Sequence, residues 1–165
     1  MIHADRERIF LENAAKASAG TRSVSGTGDL LAALERIVAM ESPVYCPGVT
    51  GLEKAAAALF PVRSADYAAA AVTVEEVFAA IAETGTIVCA SAGGRAVQAG
   101  LLPAHHVAIV RRDRIFDTLD DFFAAVGAAP PTNITLVTGP SRTADIELTL
   151  AIGVHGPERL DIIVA

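Results

Sequence analysis

Residues 133 to 143 read Asn-Ile-Thr-Leu-Val-Thr-Gly-Pro-Ser-Arg-Thr. The apolar run up to Val137 predicts a buried strand, Gly139-Pro140 breaks it, and Ser141 or Thr143 can accept a backbone N–H to open a helix turn. A strand, a loop and a helix start in that order are one unit of an open α/β sheet. Such a junction lies at the carboxyl edge of the strands, the usual ligand crevice, and sets unpaired N–H groups beside Arg142. A small anionic molecule suits that place.

Working outward, strands are predicted at 86–90, 107–111 and 160–164, with helical stretches at 94–99 and 118–126 between them. Residues 4–17 predict a first helix, and the Gly, Ser and Thr of 18–28 a mobile linker. Leu30, Leu31, Leu34, Ile37 and Val38 share one stripe of a helix over 29–40, which Pro43 ends. An alanine-rich helix follows at 51–60, a strand candidate at 67–72, and Thr73 with Glu76 reads as a capping box for a helix through Ala82. Strands alternating with helices imply parallel pairing with right-handed crossovers. The expected fold is therefore α/β, a three-layer sandwich with a mostly parallel sheet: an N-terminal helix and flexible linker over 1–28, then one α/β domain over 29–165. On such a sheet Arg142, Glu83 to Gly85 and Ser91 to Arg95 should share one rim.

With 165 residues, 52% of them hydrophobic, the chain is long enough for one domain that buries about two-thirds of its unfolded surface. Aromatics are only 5% and Trp is absent, so Ala, Val, Leu and Ile must build the core. A net charge of -6 argues against nucleic acid, which needs clustered basic charge. No run approaches the roughly 18 apolar residues of a spanning helix, and the charged start does not read as a signal peptide, so a cytoplasmic location and no membrane contact are expected. Cys46 and Cys89 fit reduced, buried thiols, and two cysteines cannot supply the four thiolates of an iron–sulfur cluster. The histidines lack a paired zinc spacing, so neither a metal nor a cofactor is expected in this chain.

Each candidate functional residue has a structural reading beside it. Arg142 can fork onto a carboxylate or phosphate, or pair with Asp145 or Glu147. Ser141 and Thr143 can contact a ligand or cap a helix. Asp145 and Glu147 diverge on a helix but share a face if extended, so either can be the inward acid. His105 and His106 must point to opposite sides of a strand, one into the packing and one toward a crevice. His155 lies in a Gly-Val-His-Gly-Pro turn, functional or turn-bonding. Glu83 can be a catalytic carboxylate, or part of a helix-to-strand turn with Gly85 at positive φ between Thr84 and Thr86. Ser91-Ala92-Gly93-Gly94-Arg95 resembles a loop for an anionic group but lacks the Lys-Ser/Thr ending of a P-loop. Gly26 with Gly28 lacks the third glycine and the preceding strand of a dinucleotide fingerprint. No Gly-x-Ser-x-Gly elbow supports a hydrolase triad.

Gly-Pro-Ser-Arg-Thr-Ala-Asp-Ile-Glu at 139–147 and Gly-Val-His-Gly-Pro at 153–157 resemble the signature of the lactate-utilisation protein C family, the LUD-domain proteins. Ala82-Glu83-Thr84-Gly85-Thr86, and Leu101-Leu102-Pro103 with His106, resemble it too, so the likeness runs from about Val74 to Ala165. It implies a fold similar to the NagB/RpiA/CoA-transferase fold of sugar-phosphate isomerases and CoA transferases. It also implies a subunit role beside iron–sulfur partner subunits in oxidising L-lactate to pyruvate, with the clusters in those partners. On this reading Thr84, Gly85, Thr86, Ser91, Gly93, Gly94, Arg95, Gly139, Ser141, Arg142, Thr143, Glu147 and His155 contact a small organic anion, and the candidate acid–base groups are Glu83, Asp145 and His106. The competing reading is a free-standing transferase or ligase-like enzyme acting on a CoA thioester or a phosphorylated small molecule in the same cleft. Either leaves room for a homo-oligomer.

Overall fold

The computed structural model describes residues 2–51, 55, 58–91, 97–143, 151–152 and 156–165. Its centre is a five-stranded, all-parallel sheet of β1 (Gly20–Ser23), β2 (Val44–Gly48), β3 (Val72–Glu76), β6 (His105–Val110) and β11 (Arg159–Val164), in the order β1-β11-β6-β3-β2. A second sheet holds β4 (Ala79–Ile81), β5 (Thr86–Ala90), β7 (Ile115–Phe116) and β8 (Ile134–Val137) in the order β7-β4-β5-β8. Helices α1 (Ile2–Lys16), α2 (Thr27–Val38) and α3 (Leu119–Val126) flank them. The chain is thus mixed α/β with a mostly parallel central sheet, as its strand–helix alternation implies.

The layers follow from which side chains each strand turns to either face. Val72, Val74, Val107, Ile109 and Ile163 meet Leu30, Leu34 and Val38 of α2 on one face. Ala108, Val110, Leu160, Ile162 and Val164 meet Phe10 and Ala14 of α1, and Ile87 and Cys89 of β5, on the other. The far side of the second sheet packs Val88 and Ile81 against Phe122 of α3. Strands covered on both faces read as continuous apolar runs, as β6 does.

Several expectations change. The strand candidate at 67–72 is instead a 3-10 turn over Tyr67–Ala69, capped by the Asp66 carboxylate accepting from Ala68 N–H, and β3 begins only at Val72. The stretch 18–28 contains a strand, because β1 pairs in parallel with β11, Gly20 opposite Asp161 through Ser23 opposite Val164. Residues 72–82 form two strands and not a capped helix: Thr73 and Val74 are buried between neighbours on both faces, and that burial outweighs a local cap signal. Arg142–Thr143 is a short strand, β9, antiparallel to β10 (Ala151–Ile152), where a helix start was expected. Finally, β5 pairs antiparallel with both β4 and β8, outside the parallel sheet.

Candidate functional site

The antiparallel register of β5 and β8 separates loops expected on one rim. Ile87 lies opposite Val137 and Ala90 opposite Ile134, so Glu83 to Gly85 adjoin the end of β8 whereas Ser91 adjoins its start. Ser91 accepts from the Asn133 backbone N–H through Oγ (2.9 Å). Gly93, Gly94, Arg95, Asp145, Glu147 and His155 lie outside the described residues.

At the Glu83 end, the hydroxyls of Thr84, Thr86 and Thr138 form a chain with 2.7 Å steps. Gly85 (φ 67°) and Gly139 (φ 75°) press on the carboxyl end of α1: a Cβ on Gly85 would lie 2.1 Å from Ala14 N, and one on Gly139 2.1 Å from Ala17 O. Asn13 closes this clasp by donating to the carbonyls of Ala82 and Glu83. The Glu83 carboxylate accepts from Leu119 N–H (2.9 Å) at the first turn of α3. The two halves of the 139–157 signature do meet, through Ser141 N–H donating to Pro157 O (2.9 Å), with the Gly156 backbone beside the Ser141 side chain.

His105 and His106 face opposite sides of β6, as adjacent strand residues must. His105 lies between two carboxylates, with Nδ1 2.9 Å from Glu41 and Nε2 2.9 Å from Asp161, and Arg159 bridges both acids. Burial raises the Asp161 carboxyl, but the His105 hydrogen bond and the Arg159 charge outweigh it and hold the pKa below its ordinary value. This histidine has the satisfied environment of a structural residue.

His106 does not. It is fully buried, its Nε2 lies 3.1 Å from Glu75 Oε1, and neither ring nitrogen has a hydrogen-bond partner. The Thr73 hydroxyl, opposite His106 on β3, is likewise buried and unpaired. Glu75 is itself only 5% exposed. Sequence reasoning singled out His106 and missed Glu75 and Thr73 as its neighbours, because the helix expected from the Thr73 cap through Ala82 hid the strand that sets them beside it.

The carboxyl ends of the parallel strands hold a cleft of about 280 Å³ that the sequence reading also missed. Gly26, Thr27, Thr50, Glu76 and Arg111 are among its lining residues. Here β1 leads into α2, whose N-cap Gly26 (φ 106°) offers no side-chain cap to the first-turn N–H groups. The Glu76 carboxylate accepts from Thr50 N–H (3.1 Å) and Oγ1 (3.2 Å), which offsets part of its charge. Arg111 is half exposed, with Asp113 3.9 Å away. Nearby, Arg112 donates to Glu7, to Ser23 Oγ and to Val24 O, fixing the β1 end against α1. The signal for this cleft was Gly26-Thr27-Gly28 before an amphipathic run; the strand that precedes it, thought absent, is β1. Among the described residues no group of three metal-ligating side chains occurs.

Comparison with known proteins gives a consistent picture. The family model of the LUD domain matches residues 53–165. A Lactate utilization protein C of Deinococcus radiodurans is 43% identical over 90 residues, and one of Halalkalibacterium halodurans 37% over 90 residues. These matches cover 52% and 51% of this chain but only 42% and 39% of those relatives, so the chain matches about two-fifths of their length. A crystal structure of a DUF162 family protein from Deinococcus radiodurans superposes with a TM-score of 0.72 at 26% identity, covering 98% of this chain and 97% of that one.

Proposed function

The chain belongs to the LUD-domain family, and on that footing we propose that it serves in a lactate-utilisation system by binding a small organic anion, next to partner subunits that carry iron–sulfur clusters. The observation that carries the anion-binding part is the cleft at the carboxyl edge of the parallel sheet, where ligands of open α/β sheets collect. Uncapped N–H groups of α2 and the Arg111 guanidinium supply donors for a carboxylate, and the Thr27 and Thr50 side chains line the same space. The relatives named for lactate utilisation support the pathway. Oxidation itself is assigned to the partners: it needs an electron acceptor, and two cysteines are too few for a cluster.

Isothermal titration of the protein with L-lactate and pyruvate tests this reading. Arg111→Ala should weaken binding by about 1.5–3 kcal/mol, the worth of a charge-assisted hydrogen bond. Arg142→Lys, at the start of β9 next to Ser141 where the signature halves meet, keeps the charge and loses the fork; a similar loss there would assign the carboxylate to that segment. Equal affinity of all three proteins overturns the anion reading at both places.

A further inference from the structure

Tyr45, Thr73 and His106 stand opposite one another on β2, β3 and β6, forming a polar row on the sheet face turned away from α2. The row runs from half-buried at Tyr45 to fully buried at His106. Tyr67 meets the Tyr45 ring edge-on at 5.7 Å. Burial, and then the charge of Glu75, raise the pKa of the Tyr45 phenol, which therefore stays a neutral hydroxyl on this face. Three buried polar atoms, both His106 ring nitrogens and Thr73 Oγ1, lack a hydrogen-bond partner, although His106 Nε2 lies 3.1 Å from the Glu75 carboxylate. Buried polar groups are nearly always paired, so orphans gathered at one spot mark a missing hydrogen-bonding group. Gly100 lies against this spot: a Cβ there would be 2.6 Å from His106 Cε1 and 2.8 Å from Glu75 Oε1.

We propose that Thr73, His106 and Glu75 form a site that takes the hydroxyl or carbonyl oxygen of a small organic acid, reached along the row from Tyr45. A threonine hydroxyl donates and accepts, and an imidazole ring N–H donates, so the pair suits an alcohol or carbonyl oxygen. The nearby Glu75 carboxylate disfavours an anionic group, so the acid enters with its oxygen-bearing carbon foremost and its carboxylate outward. Glu75 is a positioning residue that holds the imidazole. The inference rests on the reading that this chain handles a small organic acid, and it places that acid near the amino ends of β3 and β6, apart from the cleft at the carboxyl edge.

The imidazole proton signals report the site directly. The chain has four histidines, and loss of one signal in His106→Gln assigns it. L-lactate or pyruvate should shift the His106 signal saturably. Thr73→Val, of the same shape and at home in a buried strand, should fold and weaken that response about tenfold, the worth of one hydrogen bond. Gly100→Ala should block it by pushing a methyl group into the His106–Glu75 contact. If both acids leave the His106 signal unmoved, or if Thr73→Val responds like the parent protein, the inference is overturned and the orphans are filled by water. An acid that binds by calorimetry without moving the signal sinks this inference and leaves the proposed function standing. Absence of calorimetric binding sinks both.

Discussion

Gly85 and Gly139 show at single residues why a motif can resemble a ligand loop and hold a helix. The sequence predicts positive φ at Gly85 from the Glu-Thr-Gly-Thr turn, and φ is 67°. The contact with α1 is not predictable locally, because nothing in residues 82–86 says that a helix from the first turn of the chain will lie against them. A methyl group at Gly85 would strike the backbone of Asn13 and Ala14, which cannot move without displacing α1. Gly85→Ala should therefore cost about 2–4 kcal/mol, left-handed strain plus overpacking, in thermal unfolding. Gly28→Ala, in the first turn of α2 with open space around it, should be neutral or stabilise by about 0.5–1 kcal/mol. Similar melting temperatures for the two variants would show that α1 is not clasped. The same distinction separates the two histidines: alternation on a strand places them on opposite faces, but only the long-range partners Glu41, Asp161 and Glu75 reveal which one is satisfied.

Two elements carry the same signature, a hydroxyl residue with an acid three positions later, and only one is a helix. Thr118 and Asp121 form a reciprocal capping box for α3, with Thr118 Oγ1 accepting from Asp121 N–H and the Asp121 carboxylate accepting from Thr118 N–H. Leu119, Phe122 and Val126 then turn one face to the second sheet. Thr73 and Glu76 have the spacing but lie in β3, between β2 and β6, where the run Val-Thr-Val meets partners on both sides. A cap signal is worth about 1 kcal/mol and yields to burial of a strand on both faces. Thr118→Ala should cost about 1 kcal/mol and speed amide exchange in 119–122, while β8 exchange stays unchanged. Unchanged exchange in α3 would mean that the Glu83 contact to Leu119 N–H holds the helix start alone.

At the scale of the molecule, the class and the strands β5, β6, β8 and β11 were legible because buried strands are largely apolar runs, whereas β1 to β4 were not. The division into two sheets was not: 86–90 and 134–137 look like parallel-sheet strands, yet they pair antiparallel in the second sheet and carry the motif loops away from the carboxyl edge. That edge belongs instead to residues around Gly26, Thr50 and Arg111, which stand far apart in the sequence and carry no shared motif. On the proposed function this architecture divides labour, with one chain holding the acid and partners accepting electrons. Lactate must lose two electrons and two protons to become pyruvate. The chain has buried Cys89, whose thiol is pushed far up by burial, one other cysteine, and no dinucleotide fingerprint. The purified chain should thus lack visible absorbance and should not reduce an electron-accepting dye when given L-lactate. Affinity capture from a native extract should recover cysteine-rich subunits with it, and deletion of its gene should impair growth on lactate. Stoichiometric visible absorbance, or lactate-dependent dye reduction by the chain alone, would contradict the division of labour. Unimpaired growth in a strain with no second copy would remove the chain from the pathway.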